Sequence, residues 1–399
     1  MRFVLATLGS RGDVEPCAAI ARELQRRGHE VRMAVPPNMV GFVESAGLAA
    51  VPHGPDHVEQ NANIARKYGK TPNPITMALE ILKDINQLWP ELGKALTSLA
   101  GGADLLLTDA SQQGLGANVA EYYDIPLAAV HIYPIMQGAT DSHITKEAED
   151  AYRRALGLPE ERCASTRPPL EIQAFDELFF PGLAAEWEKS DVRRPFVGGL
   201  TLELPADADD EVASWIAAGD APIYFGFGSS ARVAFPADLV EMIAAACAQL
   251  GERALICSGS SDLTNIPHFD HVKVVGTVNH SAVFPVCRAV VHHGGPGTTF
   301  AGMRAQVPTL ALSVSVDQPM WAAAVNQLGV GIGRPLFDTT LNSLVADLRS
   351  ILTPHCVTRT REVAALMATP AESAATAADL LEDAVRLGPS TDRQTRTAE

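Results

Sequence analysis

One arrangement constrains this 399-residue chain more than any other feature: a strand, a glycine-containing loop and a helix follow one another near the start, and the same succession returns about 220 residues later. Phe3-Val4-Leu5-Ala6-Thr7-Leu8 is an almost unbroken apolar run, as a parallel strand covered on both faces requires. Gly9-Ser10-Arg11-Gly12-Asp13 follows, and then a helical pattern from Val14 to Arg27, with Pro16 in its predicted first turn and Gly28 as its stop. Val31-Arg32-Met33-Ala34-Val35 supplies the next strand. In the second half, Ile223-Tyr224-Phe225-Gly226-Phe227 leads into Gly228-Ser229-Ser230. A helix then starts at Pro236, keeps Leu239, Ile243, Ala246 and Leu250 on one face, and ends at Gly251 before the strand Ala254–Cys257.

These βαβ units predict an α/β protein with two Rossmann-like halves. Further buried strands are expected at Asp104–Thr108, Leu127–Val130, Val272–Val275, Ala289–His292 and Thr309–Leu312. Between about Val197 and Asp220, Gly198-Gly199 and the acidic run Pro205-Ala206-Asp207-Ala208-Asp209-Asp210 interrupt the rhythm and mark a boundary. Thr369-Pro370-Ala371-Glu372 reads as a capping box that opens a helix with Ala374, Ala377, Ala378, Leu381 and Val385 on one stripe. The domains expected are therefore 1–200, 201–369, a helix at 370–388, and a disordered tail at 389–399.

Composition narrows the function classes. Asp plus Glu outnumber Lys plus Arg by 47 to 31, a net charge of −16 that repels polyphosphate and argues against nucleic acid as a partner. A small phosphate ligand stays possible, because a few backbone N–H groups suffice to hold it. The six cysteines, Cys17, Cys163, Cys247, Cys257, Cys287 and Cys356, form no C-x-x-C pair and read as buried thiols in a reducing compartment. No run of eighteen apolar residues exists, and the opening apolar run is too short for a signal peptide. The expectation is a cytoplasmic protein without a transmembrane segment.

Chemistry concentrates in His292-His293-Gly294-Gly295-Pro296-Gly297-Thr298-Thr299, between an apolar strand and a helical pattern. Glycines let an anion approach the backbone, and a helix start offers unpaired N–H groups. His293 beside that nest can donate to a phosphate oxygen, and Thr298 or Thr299 can add a hydroxyl. The alternative is a plain strand-to-helix turn in which the two histidines only pack.

This segment and Val316-Asp317-Gln318-Pro319 resemble the nucleotide-sugar signature of the GT-B glycosyltransferases, most nearly the bacterial enzymes that glycosylate antibiotics and glycopeptidolipids. Gly9-Ser10-Arg11-Gly12-Asp13-Val14-Glu15-Pro16, Gly226-Phe227-Gly228-Ser229-Ser230 and Val275-Gly276-Thr277-Val278-Asn279 match in the same order, so the likeness spans most of the chain. The resemblance implies two Rossmann-like domains facing across a cleft, the first binding the acceptor, the second the donor, with the terminal helix crossing back. It implies an inverting, metal-independent transferase that moves a hexose or 6-deoxyhexose from a dTDP- or UDP-linked donor to a natural-product or lipopeptide hydroxyl. By resemblance, His293, Gly294, Gly295, Gly297 and Thr298 hold the diphosphate, Ser229 and Ser230 reach phosphate or ribose, and Val278 lies against the nucleobase with backbone hydrogen bonds. Asp317 and Gln318 bond the donor sugar, Ser10 and Arg11 approach the diphosphate, and Asp13 is the general base. The nucleotide sugar is a co-substrate, with no cofactor and no metal.

Asp13 stands where many relatives carry histidine, and its position before a predicted helix equally suits an N-cap; the two roles can coexist. Rival readings are a nucleotide-sugar epimerase on the same fold and a catalytically silent nucleotide-sugar-binding auxiliary protein. A dinucleotide site fails on spacing, since Gly9 and Gly12 do not make G-x-G-x-x-G. Asp207-Ala208-Asp209 reads as linker acids and a helix start rather than a metal site. Phe175, Phe179 and Phe180 read as core before acceptor pocket, and His53 and His57 as exposed loop histidines.

Overall fold

The structure is a computed structural model that describes residues 1–68, 74–134, 143–160, 170–188, 192–228, 237–259, 268–314 and 317–388, without the side chains of 61–62, 64–65, 68, 74–86 and 143–145. Ser229, Ser230, Pro236, Val316, Cys163 and the expected tail at 389–399 lie outside the described residues. The chain divides into two compact units: Met1–Phe175 with Gly182–Leu202 and Pro370–Glu399, and Asp176–Pro181 with Glu203–Thr369.

The first unit holds strands β1 (Arg2–Ala6), β2 (Glu30–Val35), β3 (Ala50–Pro52), β4 (Leu105–Asp109), β5 (Leu127–His131) and β6 (Leu170–Gln173). They form one parallel sheet in the order β3-β2-β1-β4-β5-β6. Alternate side chains of one strand enter opposite cores: Phe3 and Leu5 pack on one face, Val4 and Ala6 on the other. That two-sided burial is why β1 reads as a continuous apolar run.

The second unit repeats the plan with β7 (Ile223–Gly226), β8 (Ala254–Cys257), β9 (Val272–Val275), β10 (Ala289–His292), β11 (Thr309–Ser313) and β12 (Gly331–Pro335), in the order β12-β11-β10-β7-β8-β9. Ile223 and Phe225 face one core and Tyr224 the other. Both sheets therefore reverse direction of winding beside their first strand, between β1 and β4 and between β7 and β10. In open α/β sheets that switch point, at the carboxyl ends of the strands, is where ligands bind.

Five helices matter for the site: α1 (Arg11–Arg26), α2 (Gln113–Tyr123), α3 (Pro296–Arg304), α4 (Gln318–Leu328) and α5 (Pro370–Leu387). α1 starts three residues earlier than its apolar pattern suggests, because Ser10 caps it, and Pro16 accordingly sits inside the helix and not in its first turn. Its missing N–H withdraws the intrahelical donor from the Gly12 carbonyl. α5 buries Ala377, Ala378, Leu380 and Leu381 with α1 in the first unit's core, and Arg27 of the α1 C-cap pairs with Asp379 and Glu382 at 2.6 and 3.2 Å. The aromatic segment at 176–181 serves packing: Phe179 sits 5.4 Å from the rings of both Phe300 and Trp321, and Phe180 5.1 Å from Trp321. Phe175 is fully buried as well.

Candidate active site

In the first unit the loop after β1 is built around Asp13. Ser10 is the N-cap of α1, its Oγ accepting from the Gly12 N–H at 3.3 Å. Asp13 closes a reciprocal capping box from the third helical position: its Oδ2 accepts from the Ser10 N–H at 2.7 Å and from Ser10 Oγ at 3.1 Å. Asp13 is thus not the N-cap considered from the sequence. Ser10 takes that place, and Asp13 is its partner.

Gly9 makes this geometry possible. Its φ of +97° lies in the left-handed region, and a Cβ there would stand 2.4 Å from Asp13 Oδ2. The carboxylate leans back over a residue that can have no side chain. Asp109, at the end of β4 across the switch point, accepts the Leu8 N–H at 2.6 Å and so ties the loop to the neighbouring strand. Burial, and then the charges of Asp109 and Asp13, push the Cys17 thiol well up, so it stays protonated. Arg11 is engaged locally, with Glu15 at 2.7 Å and over the Phe42 ring at 4.8 Å.

In the second unit the loop after β10 runs directly into α3. Gly295 is the N-cap without a side-chain cap, and Pro296 occupies the first position, so the Gly297 and Thr298 N–H groups are the donors that open the helix. A Cβ on Gly297 would meet nothing within 4 Å, which leaves the backbone open to an approaching anion. His293 covers the other side. Cβ atoms on Gly228 and Gly295 would stand 2.7 and 2.5 Å from its ring, so both glycines are there to admit the imidazole. Burial holds the His293 pKa down to about 4 against the Gly226 carbonyl, so the ring is neutral at ordinary pH. Its buried Nδ1 has no partner of hydrogen-bonding geometry among the described residues.

The two histidines are not alike. His292 is fully buried and its Nδ1 accepts the Gly294 N–H at 3.0 Å, a structural role. Thr299 donates its hydroxyl to the Gly295 carbonyl at 2.9 Å, so of the two threonines it is the one engaged within the helix start. Gly294, at φ +84°, lets this loop approach the Gln318 backbone, where a Cβ would stand 3.0 Å from the carbonyl oxygen. Asp317 is the N-cap residue of α4, and burial raises its pKa. Gln318 is buried and its Oε1 takes the Val314 N–H at 2.8 Å, so that oxygen is engaged within the loop. The Val278 side chain packs in the core with Tyr224 and Leu255, an arrangement compatible with the backbone hydrogen bonds the resemblance implies there.

Three residues at this carboxyl edge were not singled out as site candidates from the sequence. Asp109 and Gln112 carry a D-x-x-Q capping signature after an apolar run that could have flagged them. His53 is not an exposed loop residue but is 2% accessible, because it leaves β3 into the sheet's carboxyl edge. Among the described residues no cluster of His, Cys, Asp or Glu has the makings of a metal site, and five cysteines are free and buried. No helix among them is long and apolar enough to cross a membrane.

Two Rossmann-like domains of this kind define the GT-B class. Residues 3–136 match the glycosyltransferase family 28 N-terminal domain, and residues 241–387 the erythromycin biosynthesis protein CIII-like C-terminal domain. An uncharacterised glycosyltransferase of Mycobacterium tuberculosis is 54% identical over 97% of this chain and 99% of its own length. Vancomycin aglycone glucosyltransferase of Amycolatopsis orientalis is 32% identical, over 96% and 98%. The solved calicheamicin glycosyltransferase shares the fold, with a TM-score of 0.72 at 17% identity, over 100% of this chain and 99% of that one. The chain belongs to the antibiotic-type GT-B glycosyltransferases.

Proposed function

We propose that this protein is an inverting, metal-independent glycosyltransferase that moves a hexose or 6-deoxyhexose from a dTDP- or UDP-linked donor to a hydroxyl of a natural-product or lipopeptide acceptor. The observation that carries the donor half is the cradle at α3: two opening N–H groups, an unobstructed Gly297 and a neutral imidazole held beside them. A diphosphate gains hydrogen bonds and the positive end of the helix dipole there as it leaves. Asp317 and Gln318, against the same loop, are the proposed sugar contacts, and the Val278 backbone the base contact.

Asp13 is the proposed general base. Its capping bonds with Ser10 orient the carboxylate, so capping and catalysis are one arrangement. The carboxylate takes the proton from the acceptor hydroxyl, the oxygen attacks the anomeric carbon in line, the glycosidic C–O bond to phosphate breaks, and the nucleoside diphosphate departs with the electron pair. Ser10 and Arg11 are proposed to support the diphosphate, and Ser229 and Ser230 complete the donor site by resemblance.

Calorimetric titration with dTDP, UDP, GDP and NAD at near-physiological salt tests the reading. Selective binding of dTDP or UDP is the expected result; binding of NAD alone, or of none, overturns it. Product analysis must then show an anomerically inverted glycoside plus nucleoside diphosphate. Return of an intact, epimerised nucleotide sugar, or a strict divalent-metal requirement, contradicts the proposal.

A further inference from the structure

At the carboxyl edge of the first sheet, two hydrogen-bonded chains share one construction. Asp109 Oδ2 accepts from Gln112 Nε2 at 3.3 Å, and Gln112 Oε1 lies 2.7 Å from His53 Nε2. Glu171 Oε1 accepts from Gln113 Nε2 at 2.7 Å, and Gln113 Oε1 lies 3.1 Å from His131 Nε2. Each is a carboxylate, then a glutamine, then a histidine, and the two glutamines are consecutive, Gln112 as the N-cap residue of α2 and Gln113 as its first residue.

The carboxylates decide the direction of both chains. A carboxylate accepts only, so it must face the amide NH2; the reversed amide would set one acceptor against another. Each glutamine therefore turns its carbonyl to the imidazole, and a carbonyl can be met only by Nε2–H. Burial, the leading influence on both rings, keeps them neutral; that of His131 is pushed down to about 4. A neutral ring with its proton on Nε2 has a bare lone pair on Nδ1. That of His53 is buried and has no hydrogen-bond partner among the described residues, and an unmet buried acceptor is costly.

Position gives the lone pairs a use. His53 follows β3 and His131 ends β5, on the same edge of this parallel sheet as the Asp13 loop. The loop after His53 also touches the Asp13 loop, since a Cβ on Gly54 would stand 2.3 Å from Leu8 Cδ2. We propose that His53 and His131 are specificity residues of the acceptor site, each offering a fixed Nδ1 lone pair to a neutral hydroxyl group of the acceptor molecule. A carboxylate or phosphate in the same place meets lone pair with lone pair and is refused. Gln112 and Gln113 are positioning residues that act through the histidines. The inference rests on the glycosyltransferase reading only for the identity of the molecule that carries the hydroxyl.

Histidine-selective 15N NMR of the full-length protein at pH 7 tests it. Both rings are expected as Nε2–H tautomers, and Gln112→Leu or Gln113→Leu should mix the tautomers of its own histidine alone. With n-octyl glucoside below its micelle concentration as the hydroxyl probe, both Nδ1 signals should move saturably, and sodium octanoate should leave them in place. His131→Leu should weaken the glucoside about tenfold or more, while His131→Asn, whose amide oxygen can stand where Nδ1 stood, retains most of the affinity. An unchanged thermal unfolding transition of the first unit in both variants excludes misfolding. An Nδ1–H tautomer overturns the proposal. So do Nδ1 signals unmoved by the glucoside, which mean that the lone pairs meet only water. Absence of nucleotide binding in the wild type would instead strike the glycosyltransferase reading and leave the tautomer result standing.

Discussion

At the scale of single residues, the loop after β1 shows how one carboxylate can serve structure and chemistry. Asp13 receives both donors of Ser10, and Gly9 gives it room by having no Cβ. Asp13→Asn keeps a capping oxygen but loses the proton acceptor. Turnover should fall at least tenfold, the low side of what a general base contributes, with dTDP or UDP affinity unchanged by calorimetry. Gly9→Ala attacks the same carboxylate from below. It should lower kcat with little effect on nucleotide affinity, and cost about 1–2 kcal/mol in urea unfolding for the left-handed backbone. Unaltered kcat in that variant would mean that the orientation of Asp13 does not matter. In the second unit the neutral state of His293 carries its own prediction. On the proposed donor site, a ring with pKa about 4 would meet a phosphate as an N–H donor and not as a cation. UDP-glucose affinity should therefore stay flat between pH 5.5 and 8, whereas an imidazolium contact would weaken as pH rises through about 6.5.

At the scale of elements, the start of α3 separates fit from function. Gly295 and Gly228 are glycines because His293 fills the space of their side chains, but Gly297 is a glycine beside empty space. Gly297→Ala should therefore leave the melting temperature unchanged or slightly raised, since alanine is the better helix former by up to about 1 kcal/mol. It should nonetheless weaken UDP binding, because the methyl group occupies the anion's path. Equal affinity would move the anion elsewhere. Elements also show where periodicity fails: the strands that went unrecognised, β3, β6 and β12, all lie at sheet edges. β3 has three residues, β6 alternates apolar with buried Glu171 and Gln173, and β12 is Gly-Ile-Gly-Arg-Pro. β3 and β12 are only partly buried and so need no continuous apolar run, whereas β6 is buried throughout and breaks its apolar run with Glu171, paired with Arg194, and Gln173.

At the scale of the whole molecule, acid sensitivity follows from where the histidines lie. His53, His131, His292 and His293 are all held below their ordinary pKa, foremost by burial, with His131 and His293 near 4. The unfolded chain then binds more protons than the folded one between about pH 6.5 and 4, so stability rises with pH in that window and is lost as pH falls. Each titrating ring contributes up to about 1.4 kcal/mol per pH unit. Urea midpoints should drop steadily from pH 7 to 4.5, ahead of any loss from Glu23, whose carboxyl is held near 2 by Arg26 and Arg27. A flat midpoint would contradict neutral burial of these rings.

Local rules read from the chain alone were enough for the repeated strand–loop–helix plan, for the central strands and for the glycine-rich helix start, because each depends on neighbours a few residues apart. Ordered motifs carried the family as well. The tertiary structure decided what those rules leave open. It made Ser10 the cap and Asp13 its partner, divided His292 from His293, and turned Val278 inward. It also brought His53, from the end of β3, to the Asp109–Gln112 pair at the end of β4, a meeting that needs the parallel sheet to set its carboxyl ends on one edge. Burial and hydrogen-bond direction are set by groups distant in sequence, and no local pattern encodes them.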